Sequence, residues 1–224
     1  MQATILMASN SLKTNAMKFV WILRHGQATH NPRAEAAKDR GCSHDEFMRL
    51  MEEDDSVDSP LTKLGEQQAE QVQAKHGHLL RDLELVVCSP LSRALSTADA
   101  GMPSSGNRIV LEDLREINGK LLNAQRLSRT ELGSKFIDWN FDDLQSEHDT
   151  WWTPKLESQQ DCRERGYQSL CWIIDRPEKC IGIVGHGGIL RYTMQDHELV
   201  QVEDERTNRG ERLASDRFGN CDEF

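Results

Sequence analysis

The chain has 224 residues, of which 37% are hydrophobic and 29% charged, with a formal net charge of −10. That length suits one α/β domain with a sizeable core, and the profile is that of an ordinary globular protein. The negative balance argues against a nucleic-acid footprint and against docking on acidic membranes. A small anionic substrate stays open, because a local group of Arg and His is positive even inside an acidic protein. No apolar run approaches the ~20 residues of a spanning helix.

Residues 1–17 are rich in Ser, Asn, Thr, Ala and Met and hold no acidic residue. They read as a flexible leader. A transit peptide is the lesser reading, since the segment lacks Arg. The expected location is cytoplasmic. The six cysteines form no Cys-x-x-Cys pair, and Cys88 and Cys180 fall in predicted core strands. They read as free thiols in a reducing compartment.

Phe19-Val20-Trp21-Ile22-Leu23 runs unbroken into Arg24-His25-Gly26. Such a run is a buried strand of a parallel sheet, and ligands bind outside the carboxyl ends of such strands. Residues 27–60 form a long excursion, partly helical from Glu35 to Glu53, of the kind that often serves as a lid. Its acidic run, Glu52 to Asp55, reads as a solvated surface. Thr62 caps a helix over 62–80 whose buried face is drawn from Leu64, Ala69, Val72, Leu79 and Leu80. His76 and His78 near its end are cations at a helix C-terminus rather than metal ligands.

Strand two is predicted at Leu85–Cys88, its helix at 91–100, and strand three at Ile109–Leu111. Residues 125–158 mix helix and loop and form an inserted cap, packed down by Trp139, Trp151 and Trp152. A helix over 159–175 leads to strand four, Cys180–Gly185, which ends in His186-Gly187-Gly188 and a further helix. Residues 196–217 are strongly charged, and 217–224 look like a closing strand. The alternation predicts an α/β fold of three layers, a mainly parallel sheet with helices on both faces. Residues 18–224 are read as a single domain.

Four segments together resemble the histidine phosphatase superfamily, also called phosphoglycerate-mutase-like. They are Arg24-His25-Gly26 with Asn31, Leu61-Thr62-x-Leu64-Gly65-x-Gln67, Ser89-x-Leu91-x-Arg93-Ala94-x-x-Thr97, and His186-Gly187-Gly188. Their order and spacing match the family over most of residues 18–195. The resemblance makes His25 the nucleophile that forms a phosphohistidine. Its other ring nitrogen should donate to a backbone carbonyl in the turn at Gly26.

Residue chemistry agrees with those roles. Arg24 and Arg93 carry planar forks that match phosphate oxygens. Asn31 has an amide N–H to donate, and His186 adds a further donor. The N–H groups of Gly187 and Gly188 would sit at a helix N-terminus, a natural anion site. The leaving alkoxide needs a proton from a carboxylic acid. The resemblance gives that task to Glu116, and a shifted match would give it to Glu112 or Asp113. No metal or other cofactor is implied.

Three readings compete. The first is a phosphomonoesterase acting on a small phosphorylated metabolite. The second is a phosphoglycerate mutase, and the third a relative that only binds phosphorylated ligands. The complete set of His25, Arg24, Arg93, His186 and Glu116 weighs against the third. The mutase branch has Glu-Arg-His-Tyr-Gly at the acid and a Gly-Trp after the first motif; this chain has Glu116-Ile117-Asn118-Gly119 and no such Gly-Trp. The long 32–58 excursion and Trp151-Trp152 look like plant and fungal phosphoglycerate-mutase-like phosphatases. The sequence does not specify the substrate or the oligomeric state.

Overall fold

A computed structural model describes residues 3–9, 17–103 and 106–194, with side chains from residue 18 onward. Five strands form one sheet in the order β1-β2-β5-β3-β4. Strands β2 (Met17–Arg24), β3 (Leu85–Cys88), β4 (Asn107–Val110) and β5 (Cys180–Gly185) are parallel. Strand β1 (Ala3–Ser9) runs antiparallel to β2, from Ala3 opposite Leu23 to Ser9 opposite Met17.

Within the stretch expected as a flexible leader, residues 3–9 form this strand, and residues 1–2 and 10–16 lie outside the described residues. The outer edge of β2 is a row of unpaired N–H and C=O groups, and a neighbouring strand satisfies them. Ala3–Ser9 contains Thr4, Ile5 and Leu6, which suit a strand; the surrounding Ser and Asn masked that signal. The expected charged tail and closing strand, 196–224, lie outside the described residues.

The alternation of the strands sorts the core into two layers. Trp21, Leu23, Val86, Cys88 and Val184 face α3 (Lys63–Leu80) and α4 (Ser92–Gly101) through Val72, Leu80, Ala94, Leu95 and Ala98. Val20, Ile22, Leu85, Val87, Ile181 and Ile183 face α6 (Gln159–Asp175) and α7 (Gly187–Met194) through Leu170, Ile173, Ile174 and Leu190. The expected three layers therefore hold.

Helix α3 starts where Thr62 accepts the Gly65 N–H at 3.1 Å. Two residues expected on its buried face, Leu64 and Leu79, are instead 49% and 45% exposed. The face is turned by Gly65, which packs backbone to backbone against the loop after β2.

The excursion after β2 folds as α1 (Asn31–Asp39) and α2 (His44–Glu52), packed together over Ala34, Met51 and Leu121. The cap segment contains one helix, α5 (Arg129–Lys135), opened by a Ser128–Glu131 capping box. It runs along the β4 edge, where Val110 N–H donates to Asn140 O at 2.9 Å. Trp139 is buried and donates to Asp99, and Trp152 donates to the Leu121 carbonyl. Trp151 is 41% exposed and does not share that packing role.

Candidate active site

Register brings the first and last motifs together. Strands β2 and β5 pair in parallel with Arg24 opposite Gly185, so the next residues, His25 and His186, emerge side by side. His25 N–H donates to the Gly185 carbonyl at 3.0 Å, and the two imidazole centroids are 4.9 Å apart. Strand β3 adds a third end: Ser89 N–H donates to Val184 O at 3.0 Å, and Ser89 Oγ lies 2.7 Å from His186 Nε2.

The His25 ring is held as expected. Its Nδ1 donates to the Gly26 carbonyl at 2.6 Å, which leaves Nε2 as the nitrogen with a lone pair. Gly26 N–H donates to Thr97 Oγ1 at 3.0 Å, tying the turn to α4. A methyl group on Gly26 would overlap the Gly65 backbone, and one on Gly65 would overlap the Gln27 carbonyl. The helix start that follows Leu61-Thr62 is thus part of the site's frame. Thr62 N–H also donates to Gln27 O at 2.9 Å.

Arg93 sits in the first turn of α4 and is 1% exposed. Its Nη1 donates to the Asn123 carbonyl at 2.6 Å, and its Nε has no partner among the described residues. Arg24, at the end of β2, is exposed, and its guanidinium approaches Gly187, where a Cβ would lie 3.3 Å from Nε. Asn31 is buried at the start of α1; its Oδ1 accepts the Ala28 N–H at 2.9 Å, leaving its NH₂ as the donor end.

Glu116 closes the cluster differently from the sequence expectation for the glycines. Its carboxylate accepts N–H bonds from Gly188 and Ile189, each at 3.0 Å, and from Ile117 at 2.9 Å. The Gly188 N–H is therefore committed to Glu116 rather than open to an anion, while that of Gly187 is not taken by Glu116. A Cβ at Gly188 would overlap the Glu116 carboxylate, so glycine is what lets the acid dock there. Arg165 of α6 fixes this loop from behind by donating to the carbonyls of Asp113, Arg115 and Glu116. Glu112 and Asp113, the alternative acids, behave otherwise. Glu112 pairs with Arg115 and Arg126, away from the imidazoles, and burial raises the Asp113 carboxyl.

Burial, reinforced by the charge of Arg93, holds the imidazoles of His25 and His186 well below the ordinary histidine range. Both rings are neutral at pH 7. Burial likewise takes Arg93 down to about 10, so it keeps its charge. The cluster is thus a set of neutral imidazoles beside two fixed cations. Among the described residues no group of three or more His, Cys, Asp or Glu is arranged to hold a metal.

Sequence reading gave no role to three members. His30, at the N-cap of α1, is 5% exposed, lies 6.4 Å from the His25 ring and is pushed down to about 2, chiefly by burial. Its place beside Asn31 was the available signal. Ser89 is the residue after a strand, the same position as His25 and His186. Asp58, held at φ +48°, is buried and accepts from Ser92 N and Oγ at 2.8 and 2.7 Å, anchoring the start of α4 beside Arg93.

The fold and the site define a class: an α/β protein with a histidine–arginine cluster at the carboxyl edge of a parallel sheet. The model of the histidine phosphatase superfamily (branch 1) matches residues 20–213, and the chain belongs to that superfamily. It is similar to phosphoglycerate mutase-like protein 1 of Arabidopsis thaliana, 30% identical over 210 residues, covering 79% of this chain and 71% of that protein. Among solved structures it resembles phosphoserine phosphatase from Entamoeba histolytica in complex with 3-phosphoglyceric acid. Identity there is 20%, coverage 78% of this chain and 77% of that one, and the TM-score 0.45. For the α-ribazole phosphatase of Shigella flexneri the corresponding values are 23%, 76%, 75% and 0.44.

Proposed function

We propose that the chain is a phosphomonoester hydrolase that acts on a small phosphorylated metabolite through a phosphohistidine at His25. The observation that carries this reading is the His25 ring: Nδ1 is tied to the Gly26 carbonyl, and the ring is neutral and flanked by a second imidazole and two arginines.

In this mechanism His25 Nε2 attacks phosphorus in line with the leaving oxygen. Arg24 and Arg93 neutralise charge on the phosphoryl oxygens, the main requirement of phosphoryl transfer. His186, the Asn31 amide and the Gly187 N–H supply further donors. Glu116 protonates the departing alkoxide, then takes a proton from the water that attacks the phosphohistidine. The products are free phosphate, the alcohol and regenerated neutral His25. No step calls for a metal ion.

The name of the Arabidopsis relative favours one second reading, a mutase. The absence of the Glu-Arg-His-Tyr-Gly and Gly-Trp elements weighs against it. The test is a turnover and trapping experiment on sugar phosphates, phosphoglycerates and p-nitrophenyl phosphate. Wild type should release phosphate and, after rapid quenching, carry an acid-labile, alkali-stable phosphoryl label; His25→Ala should do neither. Undiminished turnover by His25→Ala overturns the mechanism. Isomerisation stimulated by 2,3-bisphosphoglycerate, without phosphate release, establishes the mutase instead.

A further inference from the structure

We propose that Ser89 fixes the tautomer of His186, making Ser89 a positioning residue through which the site offers a neutral N–H donor to a phosphoryl oxygen. The inference rests on the reading of this cluster as a phosphoryl site.

Ser89 is fully buried, as is His186. Two polar groups reach Ser89 Oγ. The Leu91 N–H donates to it at 3.3 Å, and His186 Nε2 lies 2.7 Å away. A backbone N–H cannot accept, so among the described residues the only acceptor for the hydroxyl proton is His186 Nε2. If Nε2 carried the ring proton, Oγ would receive two donors and its own proton would face nothing. The Nδ1 lone pair would be orphaned as well. With Nε2 accepting from Ser89, the ring proton resides on Nδ1, and the hydroxyl is satisfied on both sides.

Nδ1 of His186 is buried and has no partner among the described residues. The tautomer set by Ser89 therefore leaves one N–H without an acceptor, 4.9 Å ring to ring from the nucleophile. A phosphoryl oxygen supplies that acceptor. His25 and His186 then carry their protons on the same nitrogen for opposite purposes. In His25 the Nδ1–H is committed to the Gly26 carbonyl and Nε2 is free to attack. In His186 the Nε2 is committed to Ser89 and the Nδ1–H is free to donate. Because the buried ring is neutral, it has a single N–H, and its location decides whether the ring donates at all.

The experiment is ¹⁵N NMR of the full chain labelled at histidine, with His186→Gln assigning the His186 resonances. The wild-type protein without ligand should carry the His186 proton on Nδ1, and inorganic phosphate should shift that N–H without moving it to Nε2. Ser89→Ala should shift the tautomer towards Nε2–H and lower kcat/KM by up to about 100-fold, the low end for losing one donor to a developing oxyanion. Ser89→Thr, which keeps the hydroxyl, should restore the Nδ1–H signal. A His186 proton on Nε2 in wild type overturns the proposal whether or not Ser89→Ala folds, as does an unchanged tautomer in Ser89→Ala. Because the tautomer is read before any turnover, its failure is separate from failure to trap a phosphoenzyme.

Discussion

Two of the guanidinium groups buried among the described residues, those of Arg115 and Arg93, are treated in opposite ways. Arg115 donates to Glu112 and Asn118, to both oxygens of Asp149, and to the Ala124 carbonyl, at 2.6 to 3.1 Å. Arg93, just as buried, has one hydrogen-bond acceptor among the described residues, the Asn123 carbonyl. The two acceptor carbonyls are neighbours in one short turn, Leu122–Ala124. One end of that turn closes a network in which two carboxylates bond the guanidinium, and the other abuts a guanidinium with no bonded carboxylate; Nε lacks a partner in both among the described residues. A buried cation is costly unless paired. Arg115 has its anions in the chain, whereas Arg93 has Asp58 and Glu116 nearby but no carboxylate bonded to its fork. On the proposed reading, the phosphoryl group of the substrate completes the shell of Arg93.

The contrast breaks first at Arg115. Arg115→Ala should cost about 3–5 kcal/mol of stability, because it strands the buried carboxylates of Glu112 and Asp149; denaturant unfolding measures this. A loss below 1 kcal/mol would show that network to be dispensable. Arg93→Met should behave in reverse, with unfolding little changed and kcat/KM reduced by about 3 kcal/mol, the scale of one lost charge-stabilising donor. Equal stability losses in the two variants would erase the distinction.

Glu116→Gln should slow alkyl phosphates by about 100-fold and spare aryl phosphates with good leaving groups. Equal loss on both classes would mean that docking at the α7 N-terminus, not proton transfer, is what Glu116 provides.

The smallest effect is in the acid limb of stability. His25, His30 and His186 all have folded values below that of an unfolded histidine, so the unfolded chain binds more protons below about pH 6.5. Stability present above that pH should fall as the pH is lowered, each ring contributing up to about 1.4 kcal/mol per pH unit. His30→Phe should flatten the slope by one proton. A profile level from pH 7 to 5 would contradict the neutral cluster.

The sheet and its strand-borne histidines were legible because parallel strands and their ends announce themselves as unbroken apolar runs stopped by polar residues and glycine, whereas Arg93, in the first turn of a helix, was legible through the family resemblance. Strand β1 was not, since its signal is edge pairing, a tertiary property, set in a Ser- and Asn-rich surround. Leu64 and Leu79 were misplaced because helical periodicity does not reveal which face a glycine seam will turn inward. His30 escaped because it adjoins Asn31, a motif residue that drew attention to itself, and Ser89, though part of a motif, was given no role because the motif's arginine took the attention. The commitment of the Gly188 N–H to Glu116 depends on a loop about 70 residues away in sequence, folded back by Arg165, and no local pattern encodes it.

The backbone contact of Gly26 with Gly65 has an evolutionary corollary. Each glycine is pressed against the other segment's main chain, not against a side chain that a second substitution could shorten. Descendants of this gene cannot trade bulk between the two positions, so the pair should be inherited jointly or lost jointly. It also couples the turn that carries His25 to the start of an 18-residue helix, so the His25 ring inherits the stiffness of that rod.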